Sequence, residues 1–502
     1  MANLQFFFFL KGFVKNLQRI FEIYKLLNFL FMSVSLLISH LTNKFSFQPT
    51  FKQSIFFQKL AEFLTSPSSE IFLLKGFAGT GKTTLIQALV KVLPHFQWNI
   101  VLLAPTGRAS KVLNHYTGKE ASTIHRKIYY PKQIKGKMSF TLQKNKHKQT
   151  LFVVDESSMI SSQNSSKFTG EDATLLEDLM EYVFLGNQCK LMFLGDGAQL
   201  PPVMQEISPA LQSEFFKHTF HLNVEEIELD EVMRQEQNSG ILMNATKLRE
   251  ILSEHYWENF AFELNPFKDI VRLQDSQETL DAIYDAYQKH GPEETCLIVK
   301  SNKRANLYNQ HIRLKIFQKE SELSIGDLLM VVKNNYFWLK NTEEAGFIAN
   351  GDTIEVMHIY KRIDLYDFQF AKVKVRMIDY PNIKPFETII LLDTINSELP
   401  SLSYEQSNFL YQRVLEDYAE ERAMYKKVQK VKQNEYFNAL QVKFSYAVTC
   451  HKAQGGQWES VFVEQPYLPN GLNQEDLRWL YTAITRAKSK LYLIGFENQF
   501  FQ

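Results

Sequence analysis

Between the apolar run Ile71-Phe72-Leu73-Leu74 and a helical pattern over residues 83–92 lies Gly76-Phe77-Ala78-Gly79-Thr80-Gly81-Lys82-Thr83, a P-loop. Its glycines let backbone N–H groups turn toward phosphate oxygens, and the following helix adds the positive end of its dipole. That geometry needs a buried strand feeding straight into a helix, which commits this part of the chain to an α/β fold. Lys82 is placed to reach the β- and γ-phosphates of a nucleoside triphosphate, and Thr83 to ligate Mg²⁺. The motif alone says only that a triphosphate is bound.

The same theme repeats. Ile100-Val101-Leu102-Leu103, Leu151-Phe152-Val153-Val154 and Leu191-Met192-Phe193-Leu194 are short apolar runs separated by helical patterns, and a helix over residues 53–64 precedes the P-loop strand. Such alternation predicts a parallel sheet covered on both faces, with polar residues at the strand ends where ligands bind. A second α/β block is signalled by Cys296-Leu297-Ile298-Val299, residues 444–448, Val461-Phe462-Val463 and Leu491-Tyr492-Leu493-Ile494. Alternating residues at 354–359 and 371–377, then a charged helical stretch near 405–434, interrupt that block. They read as an inserted accessory domain with a small β-barrel-like part. The expected division is 46–238 for the first α/β domain, 239–324 with 441–502 for the second, and 325–440 for the insertion. Residues 157–170 are polar and read as a surface loop.

A chain of 502 residues accommodates two to four domains, and 45% hydrophobic with 22% charged residues is ordinary globular composition. The net charge of +1 leaves no global basic field, so a nucleic-acid surface must come from local clustering. Cys189, Cys296 and Cys450 lie far apart with no C-x-x-C spacing, which argues against zinc, an iron–sulfur cluster or a disulfide framework and suits the reducing cytoplasm. Residues 1–45 are atypical: Phe6-Phe7-Phe8-Phe9 is followed by a stretch at 26–41 broken only by Asn28, Ser33, Ser35, Ser39 and His40. A membrane helix wants roughly 20 apolar residues, whereas Lys11, Lys15, Arg19 and Lys25 interrupt any longer run, and no small-residue cleavage site follows. The preferred reading is a start at Met32, with residues 33–41 opening the first helix and no stable membrane association. A membrane anchor is the alternative.

Phosphoryl transfer depends on positioning and charge neutralisation. Asp155-Glu156 follows a buried strand downstream of the P-loop, where an Asp can hold Mg²⁺ and a Glu can act as general base toward water. Gln199, ahead of Pro201-Pro202, is placed to bond the γ-phosphate or its water. Arg234 and Arg486 are the cationic candidates for transition-state charge. Residues 126–150 hold eight Lys or Arg and no Asp or Glu, with Tyr129, Tyr130 and Phe140 interleaved and Gly136 where a hairpin can turn. Basic side chains there can follow phosphates while aromatics stack on bases or wedge a duplex. Thr106, Arg108, Thr123 and His125, in loops at strand ends, suit phosphate contacts; His451, Lys452 and Gln454 form a comparable cluster in the second block.

With these residues in place, the chain resembles the superfamily 1B DNA helicases, the RecD-like and Dda-like group. The resemblance covers residues 53–495 and runs through eight motifs in order: 76–84, 104–109, 121–125, 154–157, 195–203, 229–235, 446–455 and 481–488. It implies two RecA-like domains with ATP in the cleft between them. It also implies that Gln53 contacts adenine, that residues 76–84 including Thr84 cradle the nucleotide, and that Arg234 and Arg486 act as arginine fingers. The 126–150 segment would be a strand-separating pin, the 325–440 insertion an SH3-like accessory domain, and movement 5′ to 3′ on single-stranded DNA. Single-stranded and forked duplex DNA are the implied partners of a monomeric, stand-alone enzyme. Gln457 departs from the group, which often carries Glu there, and the helical stretch at 405–434 has no role in the family core. Competing readings are a translocase that remodels protein–DNA complexes without unwinding, an RNA helicase, and a membrane-tethered interaction protein.

Overall fold

A computed structural model describes residues 34–134, 137–162, 174–231, 239–254, 260–339, 347–469 and 471–501. Met32 and the Phe-rich run, Gly136, Arg234 and residues 163–170 of the polar loop lie outside the described residues.

The first sheet has six parallel strands in the order Ala121–Thr123, Asn99–Ala104, Lys148–Val154, Asn187–Gly195, Ile71–Gly76 and Val224–Leu229. Alternate residues of each strand feed opposite cores. Phe72, Leu74, Leu151 and Val153 pack with the helices Phe51–Thr65 and Lys82–Val92. Ile71, Leu73, Phe152 and Val154 pack with the helix Leu175–Phe184 on the other face. This two-residue period, apolar on both sides, is why the strands read as uninterrupted hydrophobic runs. Leu37, Leu41 and Phe45 extend the first of these cores, so residues 34–44 form a packed helix of the domain.

The second sheet has five parallel strands in the order Ala447–Thr449, Thr295–Val299, Trp458–Glu464, Ala487–Ile494 and Ile270–Leu273. Between Thr295–Val299 and Ala447–Thr449 the chain makes a closed barrel of Leu328–Val331, Thr353–Leu365, Phe368–Met377, Phe386–Leu391 and Leu440–Phe444. Leu297, Val299 and Phe462 of the sheet share one continuous core with Leu329, Val331, Ile354, Val442 and Phe444 of the barrel. The barrel is therefore fused to the second sheet by packing as well as by chain connection. The helices Tyr404–Glu416 and Met424–Gln433 cover its outer side through Leu410, Val414 and Val431.

Two details differ from the sequence reading. Ser157 and Ser158 are buried rather than on a surface loop, because a 3-10 turn at Ser157–Met159 folds under the strand end and Ser208 bonds the Ser157 carbonyl at 2.8 Å. The basic segment begins inside the domain: Arg126 lies in the short helix Ile124–Ile128, ahead of the antiparallel pair Tyr129–Ile134 and Lys137–Leu142. Among the described residues no helix is long and apolar enough to cross a membrane.

Candidate active site

The C-terminal ends of the first sheet's strands meet the second domain in a cleft of about 390 Å³. Gly81, at φ 84°, caps the helix Lys82–Val92 in the left-handed region that glycine adopts without strain. Lys82 folds its ammonium back onto the P-loop, donating to the carbonyls of Gly76 and Phe77. Ala78, Gly79, Gly81, Lys82, Thr83 and Thr84 line the cleft, while Gly76 and the buried Thr80 brace it from behind. Gln53 also lies behind the loop, with both ends of its amide engaged: Oε1 accepts from Thr50 N–H at 3.0 Å and Nε2 donates to the Thr80 carbonyl at 3.0 Å. The helix Phe51–Thr65 is thereby capped and tied to the P-loop by one side chain.

Asp155 and Glu156 leave the strand Lys148–Val154 side by side. The Asp155 carboxylate accepts the Glu156 N–H at 2.9 Å. Burial, then the neighbouring Glu156, raises its pKa to about 6 against the pull of Lys82 and Arg486. Among the described residues no ion pair closes on it, and it stands in the cleft with Thr83. A half-buried carboxylate beside a hydroxyl is a donor set that a hard divalent cation satisfies. Glu156 holds a left-handed backbone, φ 52°, a conformation that costs a non-glycine residue on the order of 1 kcal/mol and concentrates at functional sites.

From the opposite wall, the buried Arg486 brings Nη1 to 3.5 Å of Glu156 Oε1. Its guanidinium is aimed by the carbonyls of Thr482 and Gly456 and by the Thr485 hydroxyl. Gln199 lines the same cleft, and its buried Oε1 accepts no hydrogen bond among the described residues. Lys82, Thr83, Asp155, Glu156, Gln199 and Arg486 are thus brought together; Arg234 lies outside the described residues.

The residues read as strand contacts divide into two kinds. Thr106 and Thr123 cap the helices Gly107–Thr117 and Ile124–Ile128 with their hydroxyls, and Gln454 donates to the Leu200 carbonyl at 2.7 Å. Arg108 crosses to the second domain, stacking 4.1 Å above Trp458 and donating to the Glu293 carbonyl. His125 is buried deeply enough to hold its pKa down to about 4, so its imidazole is neutral at physiological pH. Lys452 donates to Asn350 of the barrel at 2.6 Å and is held down to about 8 by burial, whereas His451 is exposed.

Residues to which the sequence reading gave no part in joining the domains complete the interface. Tyr481, Thr482 and Asp196 join the two domains, and the buried Arg126 meets Asp352 of the barrel at 3.3 Å. Gly455, at φ 71°, passes so near the helix Gly107–Thr117 that an added Cβ would stand 2.8 Å from Ala109 Cβ. The sequence signal for Tyr481 and Thr482 was their place one turn before Arg486 on an apolar helix.

A family model for the AAA domain matches residues 58–254, and one for the UvrD-like helicase C-terminal domain matches 444–494. The ATP-dependent DNA helicase dda of Enterobacteria phage T4 is 24% identical over 84% of this chain and 93% of its own length. The RecBCD enzyme subunit RecD of Buchnera aphidicola is 24% identical, covering 88% of this chain and 73% of that protein. The uncharacterised protein R530 of Acanthamoeba polyphaga mimivirus is also 24% identical, over 88% of this chain and 98% of its own. Among solved structures, the Pif1 helicase from Bacteroides with ADP-AlF3 and ssDNA aligns over 89% of this chain and 93% of its own at 15% identity, TM-score 0.39. A P-loop domain joined to a UvrD-like C-terminal domain defines a nucleotide-binding helicase. The two family matches and these relatives together support a superfamily 1B helicase similar to the RecD-like and Dda-like group.

Proposed function

We propose that this chain is an ATP-dependent DNA helicase that couples hydrolysis to 5′–3′ translocation on single-stranded DNA and to unwinding of forked duplexes. The observation that carries the reading is the approach of Arg486 to Glu156 across a cleft whose other wall is the P-loop. Hydrolysis then depends on closure of the two domains, and closure is the motion that can move a strand. Lys82 would neutralise the β- and γ-phosphates, and Gln199 would offer its free Oε1 to the attacking water. Glu156 would accept that water's proton, and Arg486 would meet the charge that develops on the γ-phosphate. Mg²⁺ held by Thr83 and Asp155 would supply further charge neutralisation.

The strand-binding reading is supported by Lys144, Lys146 and Lys148, exposed in alternation while Asn145 turns inward to bond the Tyr182 and Val183 carbonyls. Thr106, Arg108, Thr123, His125, His451, Lys452 and Gln454 are proposed to shape the strand path. Those already bonded to protein act by positioning the loops. Arg234 is proposed as a second finger from its motif, and action as a cytoplasmic monomer completes the reading.

Steady-state ATPase activity, measured with and without single-stranded DNA or RNA, tests this function, followed by unwinding of 5′- and 3′-tailed duplexes. Stimulation by DNA with unwinding from 5′ tails is expected. Equal stimulation by RNA would reassign the substrate, and DNA stimulation without strand separation would make the chain a translocase. Wild-type DNA-stimulated hydrolysis by Lys82→Ala would remove the cleft from the mechanism.

A further inference from the structure

One hydroxyl of the second domain is shared by the P-loop and an acidic residue of the first. Tyr481 accepts the Ala78 N–H at 2.9 Å and donates to Asp196 Oδ2 at 2.6 Å. Its ring is fully buried, and Asp196 is held on its other oxygen by the Ala198 N–H at 2.9 Å. A phenol carries a single proton, which goes to Asp196, so Ala78 is bound through a lone pair. Ala78 also lines the cleft, in the part of the P-loop where backbone N–H groups face phosphate oxygens. This N–H therefore has two competing acceptors: the phenol oxygen, and a phosphate oxygen of the nucleotide.

We propose that the Tyr481 hydroxyl is a positioning group that converts phosphate occupancy of the P-loop into a change at the interface between the two α/β domains. The proposal rests on the reading of the cleft as a triphosphate site. The surroundings let one contact switch while the rest hold. Thr482 Oγ1 accepts the Leu200 N–H at 2.8 Å and Gln454 donates to the Leu200 carbonyl at 2.7 Å. The turn after Asp196 thus stays fastened to the second domain when the Ala78 bond breaks. Phe77, beside Ala78, packs against the second domain's core under the Arg249 guanidinium, 4.4 Å from its ring, so movement of the P-loop is felt there directly.

Tyr481→Phe in the full chain keeps the ring in its pocket and removes the hydroxyl. Asp196 loses its donor whether or not nucleotide is bound, so that loss cancels from the affinity. Removal of the competitor for Ala78 does not cancel. Binding of a fluorescent ADP and of a non-hydrolysable ATP analogue, without nucleic acid, should tighten by about two- to tenfold, the worth of one net hydrogen bond. With DNA present, base pairs opened per ATP should fall by a larger factor than kcat. Thr482→Val breaks the Leu200 fastening without touching Ala78; it should reduce coupling while nucleotide affinity stays within about twofold of wild type. Unchanged or weaker nucleotide binding by Tyr481→Phe, or the same signature in both variants, overturns the proposal. Lys82→Ala is measured in parallel. If it binds nucleotide like wild type, the reading of the cleft fails; if it loses binding while Tyr481→Phe is silent, only the switch fails.

Discussion

Arg486 Nη1 stands 3.5 Å from Glu156 Oε1, joining the helicase C-terminal domain to the strand end that carries the proposed general base. The pair is built from both sides: Glu156 by its left-handed backbone, Arg486 by carbonyls that fix its guanidinium plane. Arg486→Lys keeps the charge but loses the planar fork. If Arg486 acts as an arginine finger, this should lower the DNA-stimulated kcat by about 10³-fold or more. Glu156→Gln should cost about 10²–10⁴ in kcat with nucleotide binding retained. If both act on one transition state, the double variant should be little worse than the poorer single one. Steady-state ATPase assays check this, and multiplicative losses in the double variant would separate the two roles.

Lys144, Lys146 and Lys148 form an exposed stripe leading into the strand Lys148–Val154. If each neutralises a phosphate, replacing all three by alanine should reduce the slope of log K against log salt for single-stranded DNA by roughly 2, at about 0.7 per contact. Fluorescence anisotropy titrations over a salt series measure it. A uniform loss of affinity with an unchanged slope would place the stripe away from the strand.

The α/β class and the nucleotide half of the site were legible because their signals are local. The P-loop carries its strand and helix with it, and Ile71, Leu73, Phe72 and Leu74 are apolar on both faces because helices cover both. What the sequence hid is what depends on contacts between distant segments. Thr106 and Thr123 are hydroxyls after strands, which suits a phosphate contact equally well, yet in the fold both close helix N-termini. The resemblance makes Gln53 an adenine contact, and only the folded chain shows it buried with its amide engaged by Thr50 and Thr80. Tyr481 and Asp196 are 285 positions apart, and no spacing rule joins them.

Asp327 anchors the barrel to the second domain. It is fully buried and accepts from Arg313 at 3.2 and 3.0 Å, Lys319 at 3.1 Å, the Ser324 N–H at 2.8 Å and Tyr446 at 3.3 Å. Asp327→Ala leaves the buried Arg313 guanidinium without its counter-charge and should destabilise the chain by about 3–5 kcal/mol. Urea unfolding measures that loss, and a change under about 1 kcal/mol would mean the anchor is redundant.

Asp352 supplies a pH test at the contact between the barrel and the first domain. Burial raises its carboxyl to about 7; Asp379 adds to the shift, and Arg126 at 3.3 Å opposes it. A folded pKa above the unfolded value of roughly 3.9 means that the folded state binds the proton more tightly. The stability this gives is fully present below about pH 4 and is lost as pH rises through about 7. Asp352→Asn mimics the protonated form at every pH, retaining an acceptor for the Ala349 N–H that Asp352 binds at 2.7 Å. The variant's melting temperature should therefore rise relative to wild type as pH goes from about 4 to about 7 and level off above that. Thermal melts at matched ionic strength make the comparison. A gap that closes in the opposite direction would show that Arg126 governs the carboxyl and that the contact is an ion pair at neutral pH.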